Sequence, residues 1–143
     1  SILGRHLRCR ARVDAAAVLA EFGPPSACMD LSDGLSGDLA ALADASKVDF
    51  EVFGDSIPIH EDAERLAESS GKPPLYHALN DGEDFELLVS VREDEAEHLL
   101  RSCNESGVCL YKIGHALPAG QGRWLVEGSE RGEWKVLSYE HGA

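Results

Sequence analysis

The stretch "MDLSDGLSGDLAAL", residues 29–42, sets Asp30, Asp33 and Asp38 where a hydrophobic run passes into a helical pattern. In an extended segment Asp30 and Ser32 point to one side, and the turn into the helix can swing Asp33 over the strand end. Oxygens gathered in this way suit Mg²⁺, which binds one or two protein carboxylates beside waters and substrate phosphates. Asp30 and Asp33 are therefore candidate metal ligands, and Ser32 can offer its hydroxyl to a phosphate or to metal-bound water. The competing reading is structural. Asp33 is then an ordinary helix N-cap, Ser32 satisfies another end amide, and the helix dipole alone accounts for Asp38 in the first turn.

A second constellation lies in "NDGEDFELL", residues 80–88, where Asp81, Glu83 and Asp84 crowd charge just before a buried strand. Gly82 is expected to take a backbone conformation costly to other residues. Glu83 is a candidate substrate contact, because a rigid strand can hold a turn carboxylate toward the donors of a polar ring or amine. The alternative is a hydrophilic strand entry, with Glu86 facing solvent or an adjoining domain. Tyr139 either closes the fold or stacks on an aromatic ligand, while Tyr111, Trp124 and Trp134 read as core or sheet-edge aromatics.

The remaining chemistry-bearing residues exclude more than they suggest. His60, His77, His98 and His115 are too scattered to define a metal set, and no HExxH pattern occurs. Ser32 lacks the GxSxG setting of a hydrolase nucleophile, and no GxxxxGK[ST] phosphate loop is present. A nucleotide-using reaction therefore needs another architecture. Cys9, Cys28, Cys103 and Cys109 form no CxxC pair, so reduced thiols are expected and zinc is not.

These residues need elements to position them. "VDAAAVLAEF", residues 13–22, predicts a helix with Val13, Ala16, Ala17 and Ala20 on its stripe, stopped at Gly23. "SACMDL" predicts a short buried strand, and Leu35, Leu39 and Leu42 form the core row of the following helix. Residues 48–53 alternate as a strand, and 61–71 read as a helix ending at Gly71. A two-proline turn leads into "LYHAL", and Phe85, Leu87, Val89 and Val91 are expected on one face of a strong strand. Residues 93–103 form an amphipathic helix with Ala96, Leu99, Leu100 and Cys103 inward, and "VCLYKIG" predicts another strand. The tail predicts a hairpin from "RWLVEG" and "EWKVLS" about the turn "SERG". The simplest layout is α/β, a mixed β-sheet packed with α-helices.

The 143 residues suit one domain, with residues 1–12 as a linker or interdomain remnant and 13–143 as the folded unit. Arg5, Arg8, Arg10 and Arg12 crowd the front, and they can pair with the acidic body or continue a linker from a preceding domain. The formal net charge of −13 favours solubility and argues against a nucleic-acid surface, although Mg²⁺ can still mediate binding to nucleotide phosphates. No apolar run is long enough to span a membrane, so a cytoplasmic protein without a membrane partner is expected.

Taken together, "MDLSDGLSGDL" at 29–39, "LNDGEDFELLVSV" at 79–91 and "YKIG" at 111–114 resemble the carboxyl-terminal domain of thiamine-monophosphate kinase, over roughly Arg12 to His141. This kinase belongs to the aminoimidazole ribonucleotide synthetase group. The resemblance implies the carboxyl-terminal α/β fold of that group and transfer of the ATP γ-phosphoryl to thiamine monophosphate, giving thiamine diphosphate and ADP. It also implies Mg²⁺ on Asp30 and Asp33, ATP at Ser32, and the thiamine substrate at Glu83 with Tyr139 near it. The group pairs such a domain with an amino-terminal one that carries paired aspartates and generally mediates dimerisation. No such motif occurs here, so the chain is expected to be half an enzyme, with negligible turnover alone. Asn80-Asp81-Gly82 replaces the more typical Ser/Thr-Gly-Gly, and Phe85 stands for a frequent tyrosine. Two rivals stay open: another ATP-dependent enzyme of the group, and a non-catalytic acidic interaction module.

Overall fold

Alternation from Val48 to Val52 in "VDFEVF" makes β2, Val48–Phe53, the strand on which the larger sheet is built. In the computed structural model, which describes residues 11–136, Phe50 and Val52 of this strand are buried and Asp49 and Glu51 line the opposite face. β4, Gly114–Pro118, pairs antiparallel with one edge of β2, from Val48↔Pro118 to Val52↔Gly114. β5, Arg123–Glu127, pairs parallel with the other edge, and β6, Glu130–Glu133, closes antiparallel on β5. A smaller sheet holds β1, Ala27–Asp30, antiparallel to β3, Leu87–Ser90.

Among the described residues five α-helices pack around these strands: α1, Val13–Phe22; α2, Leu35–Ser46; α3, Glu61–Ser70; α4, Pro74–Asn80; and α5, Glu93–Glu105. The "LYHAL" segment is thus helical, with Pro74 at a first-turn position where its missing amide donor costs nothing. The apolar side chains separate into two clusters. One joins Leu35 and Ala43 to Phe50, Val52, Leu79, Leu88 and Trp134, with Leu39 and Leu42 packed against it as the helical spacing predicts. Within it Phe50 and Trp134 meet edge to face at 5.1 Å. The second gathers Leu19, Leu99, Cys103 and Val108, with Leu87, Val89 and Val91 against it. β3 therefore serves both clusters, Leu88 on one side and its odd-numbered neighbours on the other.

Several expectations are corrected. The inward stripe of α1 is Ala15, Val18, Leu19 and Phe22, whereas Val13 is exposed. The same i, i+3, i+4, i+7 spacing fits both stripes, and the bulkier one has more apolar area to remove from water. Residues 108–113 form no strand, because Val108 packs into one cluster and Ile113 against the other; the ladder begins only at Gly114. Tyr111 on this connector is exposed rather than a core aromatic. The terminal hairpin turns at Gly128 and Ser129, tighter than predicted, since Glu127 already pairs with Glu130. Cys28, Cys103 and Cys109 are free thiols.

On the outer face of β2, Glu51 meets Arg131 at 2.7 Å, and Asp49 accepts the Gly122 amide at 2.8 Å. The Asp49 carboxyl is held below its ordinary pKa, first by that amide, with the Gly120 and Gln121 amides and the Arg123 charge adding to it against the effect of burial. The lowered value makes Asp49 stabilising above the unfolded carboxylate pKa, about 3.9, and that contribution is lost as the pH falls through the folded-state value. Acid unfolding followed by circular dichroism should therefore show a shallower loss of stability below about pH 4 in Asp49→Asn than in the wild type.

Candidate active site

The two acidic stretches meet where the smaller sheet ends. Past the Asp30↔Leu87 pair, the Leu31 amide donates to Glu86 O at 2.9 Å, Phe85 N to Leu31 O at 2.8 Å, and Glu83 N to Ser32 O at 2.8 Å. These bonds hold the turn of residues 80–86 against that of 31–34, and they do so along an irregular path. Glu83 and Phe85 both adopt left-handed backbone conformations, with φ of 67° and 52°. For residues carrying a Cβ, each such conformation costs about 1–2 kcal/mol and persists where its surroundings fix it, commonly at binding and catalytic sites. Phe85 consequently lies before β3 and does not join Leu87, Val89 and Val91 in the second apolar cluster.

Gly82 is needed for a different reason from the one expected. A Cβ there would lie 2.6 Å from the Ser32 carbonyl oxygen, so glycine permits a close approach of two backbones. Asp81 is in ordinary extended conformation, φ −78° and ψ 121°, so the Asn80-Asp81 departure introduces no backbone strain.

At the start of α2 the roles of two aspartates are exchanged. The N-cap is Gly34, with no side-chain cap bond, so Asp33 is not the cap. Asp38, 5% exposed, instead reaches back: its Oδ2 accepts from Ser32 N at 2.9 Å and Asp33 N at 3.1 Å. A buried carboxylate needs such donors, and hydrogen bonds to an ionised acceptor contribute about 1.5–3 kcal/mol each. Asp38 thus shapes the turn from inside, while Asp30 and Asp33 are exposed. The turn is fixed further by Ser36, whose hydroxyl donates to Asn80 Oδ1 at 2.8 Å, and by Trp134 Nε1, which donates to Ser36 O at 3.1 Å.

An open groove of about 310 Å³ runs beside Asp30, between the beginning of α1 and Phe85 and Leu87. Arg12 lines it and pairs with Asp14 and Glu86, so Glu86 ties the segment before α1 to the acidic turn. Hydrogen bonding to Asp14 lifts Arg12 above its ordinary pKa against the effect of burial, and the Glu86 charge adds to the rise. Among the described residues no group of three or more His, Cys, Asp or Glu side chains is arranged to hold a metal. Two exposed carboxylates, Asp30 at the end of β1 and Asp33 on the turn that follows, still fit Mg²⁺, whose other positions are commonly filled by water and phosphate oxygens. Asp30, Ser32, Asp33 and Glu83 are thus brought to one junction, whereas Tyr139 lies outside the described residues.

Sequence reasoning missed His77. It is buried, with Nδ1 2.8 Å from Asp81 Oδ2 and Nε2 2.7 Å from the Ser70 hydroxyl. The signal was available in the spacing, since residues four apart on a helix are neighbours.

Residues 1–126 match the family described as AIR synthase related protein, C-terminal domain. The chain belongs to this family. The thiamine-monophosphate kinase of Rhodopirellula baltica is 47% identical over 114 residues, covering 80% of this chain and 35% of that protein. A solved structure of AaThiL complexed with AMPPCP and TMP superposes with a TM-score of 0.69 at 28% identity, over 90% of this chain and 38% of the other. The hydrogenase maturation protein HypE of E. coli matches with a TM-score of 0.76 at 18% identity, over 92% of this chain and 42% of the other, which shows a shared fold alone. The chain spans about a third of the length of the curated relatives it matches. Both acidic turns fall inside the family match, and among the described residues no helix is long and apolar enough to cross a membrane.

Proposed function

We propose that the chain is the carboxyl-terminal part of a cytoplasmic thiamine-monophosphate kinase and contributes one wall of its active site. The observation that carries this reading is the backbone junction of the two acidic turns, in which the Glu83 amide donates to Ser32 O, with Asp30 and Asp33 two and one residues from that contact. The 47% identity to a thiamine-monophosphate kinase supports the choice of substrate.

In this reading Asp30 and Asp33 would hold Mg²⁺, which when bound offsets the charge of the phosphate oxygens during transfer. The Ser32 hydroxyl donates to an ATP phosphate oxygen, and the rigid turn fixes where that donor points. Glu83 accepts from the donors of the thiamine ring system, held in place by its own amide bond to Ser32. Tyr139 supplies an aromatic wall to the same substrate. An amino-terminal domain bearing paired aspartates completes the nucleotide site, and the parent protein is a homodimer through it.

The test is thiamine diphosphate formation by the full-length protein from thiamine monophosphate, ATP and Mg²⁺, with ADP released in equal amount. A folded, full-length protein that hydrolyses ATP or phosphorylates another acceptor, and leaves thiamine monophosphate unchanged, overturns the reading.

A further inference from the structure

A line of hydrogen bonds enters the acidic turn from the end of α3. The Lys72 amide donates to Ser70 Oγ at 3.2 Å, which leaves the hydroxyl proton of Ser70 available to His77 Nε2, 2.7 Å away. A carboxylate only accepts, so His77 Nδ1 carries its hydrogen toward Asp81 Oδ2 at 2.8 Å. The line thus runs Lys72 N–H, Ser70 O–H, His77 Nδ1–H, and ends on Asp81. The backbone amide of Asp81 also donates to His77 O at 2.9 Å. One residue therefore holds Asp81 by both main chain and side chain.

The position of Asp81 gives this restraint a consequence. It directly precedes Gly82, packed on the Ser32 carbonyl, and Glu83 in its left-handed conformation. A glycine would leave the approach to Glu83 conformationally free, whereas a tethered aspartate narrows it. His77 is 7% exposed and Asp81 49%, so the buried ring is the fixed partner and the turn is what it fixes.

We propose that His77 is a positioning residue which, through Asp81, fixes the turn carrying Glu83 and thereby sets affinity for the acceptor substrate rather than for the nucleotide. This rests on the thiamine-monophosphate kinase reading above.

Asparagine and glutamine separate the two sides of the ring, since the asparagine amide falls near the Nδ1 position and the glutamine amide near Nε2. In the full-length protein, His77→Gln is expected to raise KM for thiamine monophosphate about tenfold, with kcat and KM for ATP within about twofold of the wild type. His77→Asn keeps the donor to Asp81 and should stay within about threefold. Asp81→Ala should reproduce the rise, and adding His77→Gln to it should produce no further rise. A merely structural histidine predicts the opposite pattern: both His77 variants lose stability alike, and the KM of the folded enzyme is unmoved in them and in Asp81→Ala. That result overturns the proposal.

Amide hydrogen exchange in the same substrate-free protein gives a readout independent of activity. Glu83 and Phe85 amides, bonded to Ser32 O and Leu31 O, should exchange about tenfold faster in His77→Gln and Asp81→Ala, with the Phe53 amide unchanged. If the wild type makes no thiamine diphosphate, the kinase reading falls and this exchange still decides the positioning role; unchanged rates at Glu83 and Phe85 overturn it.

Discussion

Replacing Asp30 or Asp33 with alanine in the full-length protein is expected to lower Mg²⁺-dependent turnover by about a hundredfold or more and to raise the Mg²⁺ concentration needed for half-maximal rate. Folding stability should change by no more than about 0.5 kcal/mol, because both side chains are exposed and neither caps α2. The separation of the two effects is the informative part. Asp38→Ala offers the contrast, since it removes a buried acceptor from the Ser32 and Asp33 amides and should lower stability and turnover together. Steady-state kinetics across a Mg²⁺ titration, paired with urea unfolding of each variant, distinguishes the cases. If the acids only solvate or shape the surface, as in an interaction module, Asp30→Ala and Asp33→Ala leave turnover unchanged.

That the amides before α2 go to Asp38, and not to Asp33 as the N-cap reading has it, shows what periodicity can and cannot reveal. Leu35, Leu39 and Leu42 announce a helix and its buried face, because that information lies within a few residues. Which of two nearby aspartates receives the free amides depends on the chain path before α2, and that path is set by pairing with residues 83–86, some fifty positions away. The left-handed Glu83 and Phe85 are hidden for the same reason, since neither type signals that conformation and only the Leu31 and Ser32 contacts impose it. Residues 108–113 show a different failure. An apolar run with alternation looks like a strand, but its ends are required in two separate clusters, and it meets β2 only at Ile113, whose carbonyl accepts the Phe53 amide. The two acidic turns were legible as candidate chemistry from the carboxylates they concentrate, although caps and turns favour the same residue types; their meeting was not, because contact across the fold leaves no local trace.

Gly82→Ala tests that meeting directly, and it should destabilise the protein by about 2–4 kcal/mol in urea unfolding while lowering turnover steeply. The added Cβ would stand 2.6 Å from Ser32 O and 3.3 Å from Asp33 Cα, so relief requires one backbone to move. Neither is loose. Ser32 and Asp33 are held through their amides by Asp38, and Glu83 is held by its amide bond to the same Ser32 carbonyl that the new methyl would strike. Parting the turns therefore forfeits at least one hydrogen bond, about 0.5–1.5 kcal/mol, in addition to the overpacking cost of about 1–3 kcal/mol. Gly132→Ala is the appropriate control, since its nearest obstacle, Leu125 O, lies 3.9 Å away and no left-handed backbone is involved. If the Gly82 variant matched that control in both stability and turnover, the two turns would have to be free to separate, and the junction could not be what fixes Glu83 beside Ser32.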